Sequence, residues 1–235
     1  MPPSISILIA AYNEEACLEA AVRRCLSVIA DCAEDYEMVM LDDASTDRTA
    51  EIMERLRAEH PDRIRVLRHP ENRGIAATFE DLYRAATKDF VFLIPGDDEY
   101  PPEALREIVP MLASYDIVVC RRSAKPYTLW RKVVSTSFRL LPRILFGVEL
   151  YDPGSVKCVR YTIITDVPVM SRGVFVEAER LVRAARRGHK IGVVDIVQQP
   201  RQGGKARGAR WSLVVRAMAD LLTVWISLVV LRRRP

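Results

Sequence analysis

Three short apolar runs in the first half of the chain end in the same abrupt way. Residues 4–11 give onto Tyr12, Asn13 and Glu14; "YEMVML" gives onto Asp42 and Asp43; "FVFLI" gives onto Pro95, Gly96, Asp97, Asp98 and Glu99. Each run has strand length and strand composition, and helical spacing of apolar residues follows the first two, in "EEACLEAAVRRCLSVIA" and "TAEIMERLRAEH". "IRVLRH" with "GIAATFEDLYRAAT" repeats the unit, and "DIVVC" at 116–120 adds a fifth strand. This alternation predicts right-handed crossovers and a mostly parallel sheet flanked by helices. In such open sheets ligands sit at the carboxyl ends of the strands. Crowded acids repel one another and are costly to desolvate. Three polar strand exits on one edge therefore predict a ligand site, and the last one predicts a cation.

The rest of the composition narrows the class. A chain of 235 residues, 49% of them hydrophobic, can bury one substantial α/β core or two small ones. A net charge of +4 without a basic tail or RNA-binding motif gives no argument for nucleic acid. Five scattered cysteines with no C-x-x-C pair read as core thiols in a reducing compartment. The first strand starts almost at once, with no basic and apolar leader before it, so the expectation is a chain that begins in the cytoplasm.

Two exits carry specific chemistry. In "DDASTDRT", Ser45 or Thr46 is expected to cap the next helix about as readily as to touch a ligand. Asp42 and Asp43 precede any cap, and a carboxylate there can accept from a nucleobase N–H or a ribose hydroxyl. In "PGDDEYPPE", Asp97 and Glu99 are two apart, so an extended segment would aim both the same way. Two hard oxygen donors suit Mg²⁺ or Mn²⁺, which leave positions open for waters and substrate phosphates. Asp98 would point elsewhere, as a cap or a solvated acid.

"ILIAAYNEE", "LDDASTDRT", "NRGIAATFEDLYRAATKDFVFLIPGDDEYPPE" and "RQGGKA" resemble the family 2 glycosyltransferases of the GT-A fold, over roughly residues 4–208. Among these the likeness is greatest to dolichol- and polyprenyl-phosphate sugar synthases. The resemblance implies an inverting, metal-dependent transfer of a sugar from a nucleotide diphosphate sugar (GDP- or UDP-linked) to a lipid phosphate. It implies that Ala11, Tyr12, Glu14, Asp42, Asp43 and Gly74 hold the donor, with Asp97 and Glu99 as metal ligands. Arg201, Gly204 and Lys205 match the family's late R-x-x-G-K stretch near the phosphates, and Arg121 and Arg131 match positions toward the acceptor phosphate. Asp97, Arg131 and Arg201 are thereby the expected catalytic residues. One departure is evident: Pro95 stands where the family's Asp-x-Asp has its first aspartate, while Glu99 adds an acid where Gln is common.

The second half concerns the acceptor and the membrane. "CRRSAKPYTLWRKVVSTSFRLLPRILFG" interleaves arginines and lysines with aromatic and aliphatic residues, a pattern that lies at anionic membrane surfaces or forms an ordinary basic helix. A sugar hydroxyl acceptor needs a general base, for which Asp152 or Glu179 is the candidate. A phosphate monoester, with its second pKa near about 6, needs cations instead. His60, His69 and His189 do not look like bases. The uncharged run from Leu221 to Leu231 is shorter than the ~20 residues that cross a bilayer, so it reads as an interfacial or oligomer-burying helix. The expected organisation is a donor and metal half over 1–122, an acceptor half over 123–210, and a membrane-associated helix over 211–235, peripheral on the cytoplasmic face. The rival functions are a family 2 transferase onto a saccharide hydroxyl, and a non-catalytic sugar-nucleotide binding protein suggested by Pro95.

Overall fold

The computed structural model describes residues 3–123, 129–171, 173, 175–199 and 211–231, without the side chains of 129–135, 138, 139 and 211–213. Its centre is a seven-stranded sheet of order β3-β2-β1-β4-β6-β5-β7. The strands are β1 (Ile5–Ala11), β2 (Tyr36–Asp42), β3 (Ile64–Arg68), β4 (Phe90–Pro95), β5 (Ile117–Arg122), β6 (Lys157–Arg160) and β7 (Ile191–Ile196). The helices are α1 (Leu18–Cys32), α2 (Thr49–Glu59), α3 (Ile75–Ala85), α4 (Leu105–Met111), α5 (Leu129–Phe146), α6 (Tyr161–Asp166), α7 (Val176–Arg186) and α8 (Trp211–Trp225), the last continued by a π-helical turn over Ile226–Val230.

All pairs are parallel except those of β6, which runs antiparallel to both β4 and β5. Sequence pattern does not single out β6 or β7. β6 is four residues long, and its Lys157 and Arg160 break any apolar run. Lys157 is nonetheless buried, its ammonium 2.9 Å from Glu177 Oε2.

β1 is buried along its whole length because helices cover both faces, which is why its sequence reads as a continuous apolar run. Ile5, Ile7 and Ile9 pack with Leu18, Val22 and Ile29 of α1 and with Met53 and Leu56 of α2. Leu8 and Ala10 pack on the other face with Leu82 of α3, Leu181 of α7 and Leu221 of α8. The five thiols are free, and four are buried. Burial pushes Cys25 and Cys120 up to about 12.

The C-terminal helix joins this core. Ala217, Leu221, Val224 and Leu228 are nearly inaccessible, while Val215, Leu222, Ile226 and Val230 remain half-exposed on another side. Among the described residues no helix is long and apolar enough to cross a membrane.

At the edge opposite the strand exits, Glu37 is a polar anchor. Its Oε1 accepts from Ser6 Oγ at 2.7 Å and from the Thr87 amide at 2.7 Å, and its Oε2 accepts from Arg65 Nη2 at 2.7 Å. Burial pushes the Glu37 carboxyl up, but these donors outweigh it and hold the group below its ordinary value. A carboxyl lowered on folding adds stability above its unfolded pKa of about 4.3 and loses it as pH falls through the native value. Unfolding in urea should therefore show stability falling below about pH 4.3. Glu37→Gln should flatten that fall and cost about 1–3 kcal/mol at pH 7, because a side-chain amide cannot accept from all of these donors.

Candidate active site

Strand order reverses beside β1: β2 and β3 extend the sheet to one side, β4 to the other. Such a switch point places the expected crevice at the carboxyl ends of β1 and β4. Register brings the exits level, since Ala11 pairs with Asp42 and Ala10 with Pro95. Each exit then turns through a left-handed residue, with φ of 56° at Asn13, 60° at Ala44 and 53° at Asp98. Such conformations cost about 1 kcal/mol or more outside glycine and cluster at ligand sites. Gly96 crosses so close to β1 that a Cβ would stand 3.0 Å from Leu18 Cδ1 and 3.4 Å from Ala11 Cβ.

The first two exits are laced together. The Asn13 amide donates to Ser45 Oγ at 2.9 Å, the Thr46 amide to Asn13 Oδ1 at 2.8 Å, and the Glu14 amide to Thr49 Oγ1 at 2.9 Å. Ser45 and Thr46 thus tie two loops together, and the first amide of α2, that of Thr49, donates instead to Asp47 Oδ1 at 2.9 Å. Asp42 is fully buried. Its Oδ1 accepts from the Ser45 amide at 2.9 Å. Its Oδ2 lies 3.1 Å from Arg68 Nε without hydrogen-bond alignment and has no hydrogen-bond partner among the described residues.

Asp43 is equally buried but fully engaged. It accepts from the amides of Arg73 at 2.8 Å and Gly74 at 2.9 Å, and sits 2.6 Å from His69 Nδ1. His69 is itself clamped on its other nitrogen by Asp81 at 3.1 Å. Asp43 therefore shapes the loop that ends at Gly74, a residue with φ of 80° at the start of α3. A cleft of about 470 Å³ lined by Ala44, Ser45, Arg68, His69 and Pro70 opens at this loop.

The third exit corrects the expectation of an extended acidic segment. The strand ends at Pro95, residues 96 and 97 form a turn, and Asp98 is left-handed, so period-two alternation does not apply to residues 97–99. Asp97 Oδ1 accepts from the Glu99 amide at 3.2 Å. Asp98 is neither cap nor solvated acid: its side chain is 10% exposed and pairs with Arg24 at 3.0 Å. Glu99 accepts from Gln198 Nε2 through its side chain and from the Gln199 amide through its carbonyl at 2.8 Å.

Among the described residues no three acidic, histidine or cysteine side chains group as a metal cage. A turn offering Asp97 and Glu99 still suits Mg²⁺ or Mn²⁺, which take one or two carboxylates and complete their shell with water and substrate phosphate.

Other expected residues divide in three ways. Arg121 is on the rim, in a bidentate pair with Asp195 of β7 at 2.7 Å for both contacts. Arg131 lies in the first turn of α5, with its side chain outside the described residues, and Arg201, Gly204 and Lys205 lie outside them altogether. Asp152 is held by Arg122, whose Nε and Nη2 each donate at 2.8 Å. Glu179, the other candidate base, is closed off from solvent. It is completely buried and accepts from the amides of Met170 and Ser171 at 2.9 and 2.7 Å and from Arg183 Nε at 2.6 Å.

Arg122 is the inward arginine that sequence reading passed over. It also donates to the Tyr100 hydroxyl at 3.2 Å, and burial keeps that hydroxyl protonated far above the ordinary range. Strand parity carried the signal: Val118 and Cys120 face the same core as Tyr100, so Arg122 shares their side and Arg121 does not.

The helix-flanked sheet with acidic exits at its switch point fits the GT-A class of nucleotide-sugar folds. Residues 6–167 match the Glycosyl transferase family 2 description, and the chain belongs to that family. It is 25% identical over 223 residues to an undecaprenyl-phosphate 4-deoxy-4-formamido-L-arabinose transferase of Pectobacterium carotovorum, covering 94% of this chain and 67% of that one. A transferase of the same name from Pseudomonas fluorescens is 27% identical over 198 residues, covering 79% and 58%. The chain spans about two thirds or less of the length of these curated relatives. Glucosyl-3-phosphoglycerate synthase of Mycobacterium tuberculosis, solved with Mn²⁺, UDP and phosphoglyceric acid, superposes with a TM-score of 0.73 at 20% identity, covering 95% and 78%. That likeness shows the shared fold.

Asp43 gives a test that separates framework from ligand chemistry. Asp43→Ala removes a buried anion from three donors and should destabilise the chain by about 3 kcal/mol in urea unfolding. Asp42→Asn, which keeps a carbonyl oxygen toward Ser45, should cost less than about 1.5 kcal/mol.

Proposed function

We propose that this family 2 transferase moves a sugar from a nucleoside diphosphate sugar to a polyprenyl phosphate, with inversion at the anomeric carbon. The observation that carries the reading is the level convergence of three strand exits at the switch point, with Asp42 and Asp97 at two of them. The names of the undecaprenyl-phosphate relatives support the acceptor.

In this reading residues 1–122 bind the donor. Asp42 Oδ2, buried and without a hydrogen bond, accepts from the nucleobase or ribose, while Ala11, Tyr12, Glu14 and Gly74 border the nucleoside. Asp97 and Glu99 would hold Mg²⁺ or Mn²⁺, which supplies neutralisation of charge on a leaving diphosphate. Arg201, Gly204 and Lys205 serve the same anion from the protein side. An acceptor phosphate oxygen forms the new bond to the anomeric carbon as the bond to the diphosphate oxygen breaks. No proton has to move, because the phosphate is already largely dianionic above about pH 6. Arg131, and Arg121 at the rim, position that anion.

The saccharide acceptor is the weaker alternative. Its two candidate bases are committed, Asp152 to a bidentate arginine and Glu179 to two amides and Arg183. A polyprenyl chain requires access to a bilayer. The half-exposed Leu222, Ile226 and Val230 of the C-terminal helix, with Leu140 and Ile144 of α5 and the exposed Arg143 beside them, suit a peripheral seat on an anionic membrane surface. In this reading that surface is the cytoplasmic face.

Two measurements test this. Asp97→Ala should lower sugar transfer about a thousandfold, the scale of losing electrostatic stabilisation at a reacting centre. Arg131→Ala should lower transfer to polyprenyl phosphate by about 10- to 100-fold with nucleotide-sugar KM unchanged, and Arg131→Lys should recover part of it. Efficient transfer to a free sugar hydroxyl with polyprenyl phosphate inert would refute the reading.

Deletion of α8 is the wrong membrane test, since its other side is core. The double variant Leu222→Asn, Ile226→Asn should instead weaken flotation with anionic vesicles tenfold or more, each lost apolar side chain being worth about 1 kcal/mol or more. Its melting temperature should stay close to that of the parent.

A further inference from the structure

The acidic turn after β4 is gripped by a cation from a distant element. Arg24 of α1 donates through Nε and Nη2 to the two oxygens of Glu103 at 2.8 and 2.7 Å. Its Nη1 donates to Asp98 Oδ1 at 3.0 Å and to Gln199 Oε1 at 3.3 Å. One guanidinium therefore joins the turn, the 3₁₀ segment Pro102–Ala104 and the residues that follow β7. Glu99 adds a second seam through its contacts to Gln198 and the Gln199 amide. Two residues beyond Gln199 along the chain is Arg201. Neither family resemblance nor strand position singles out Arg24.

We propose that Arg24 is a positioning residue for the divalent-cation turn. By fixing Asp98 between Asp97 and Glu99, and Gln199 against the same turn, it sets the affinity of that turn for Mg²⁺ or Mn²⁺. This rests on the transferase reading of Asp97 and Glu99. Two effects of removing Arg24 oppose each other. Its positive charge repels an arriving cation, so Coulomb energy alone would make its loss tighten binding, but the paired carboxylates of Asp98 and Glu103 already offset that charge. Salt weakens that term further, the screening length being about 8 Å at physiological ionic strength. Losing the planar fork releases the turn, and partners that orient metal ligands are worth about 10- to 100-fold in affinity. Geometry wins.

The experiment titrates Mn²⁺ into the full chain with uridine or guanosine diphosphate present, following loss of the free-ion electron paramagnetic resonance signal. Arg24→Gln should weaken Mn²⁺ about tenfold, and Arg24→Lys, which keeps the charge and loses the fork, should weaken it comparably. Arg24→Gln and Asp98→Asn should together lose less than the sum of their separate losses, because both remove the Arg24–Asp98 contact. Hydrogen exchange should quicken together at the amides of Glu99 and Gln199 in the single variants. Tighter Mn²⁺ in Arg24→Gln with Arg24→Lys unchanged overturns the proposal in favour of a charge effect. A lowered melting temperature with unaltered Mn²⁺ affinity overturns it in favour of a structural brace. Parent protein that binds no Mn²⁺ also overturns it. Arg24-dependent Mn²⁺ binding without sugar turnover overturns the transferase reading alone.

Discussion

The pairing of β1 with β2 on one side and β4 on the other is the constraint from which the site follows. With Ala11 level with Asp42 and Ala10 level with Pro95, three loops leave the sheet at one height. A one-residue slip of β4 would move its acids by about 3.3 Å and turn its side chains to the other face. Gly96 guards against that slip, because its contact with Leu18 and Ala11 leaves no room for a side chain. The carbonyl of Ala10 accepts the Gly96 amide at 3.0 Å, so the close approach is itself hydrogen-bonded.

Apart from the exposed surface pairs, charge in this protein works in two populations. One is buried and paired, and holds loops and helices in place: Asp43 with the 69–74 loop, Asp152 with Arg122, Glu179 with Arg183, Glu177 with Lys157. Burial alone would push Glu177 up, yet Lys157, Arg180 and Tyr83 bring it below its ordinary value. Breaking such a pair strands a charge in a poorly solvated interior, which costs more than the pair contributes. The other population sits at the strand exits, where buried Asp42 keeps one oxygen without a hydrogen bond among the described residues and Asp97 lies in the turn after β4.

Sequence reading reached β1 to β5 and the exits because buried parallel strands advertise themselves as unbroken apolar runs. It missed β6 because Lys157 and Arg160 interrupt the pattern, and β7 because Gly192 and Asp195 do; Gly192 is there since Met111 and Tyr115 pack against its Cα. Period-two reasoning failed at Asp97, Asp98 and Glu99 because the chain turns one residue earlier than the acids begin. Glu179 read as a candidate base because a helix of low hydropathy usually shows its charges to water; here α7 is covered on every side from Val176 to Ala184. The tail read as an interfacial or oligomer-burying helix, and its four core positions were not legible because they are hidden among many apolar residues.

β1, the interior strand that carries the first exit, is also the first of the seven to leave the ribosome. Its partner β4 is encoded more than eighty residues later, a delay on the order of ten seconds at typical elongation rates. Through that interval an apolar segment has one edge without a permanent neighbour, and pairing across such separations is slow in any case. Slower decoding of the stretch leading to β4 would lengthen the exposure of β1 to chaperones and to other nascent chains alike.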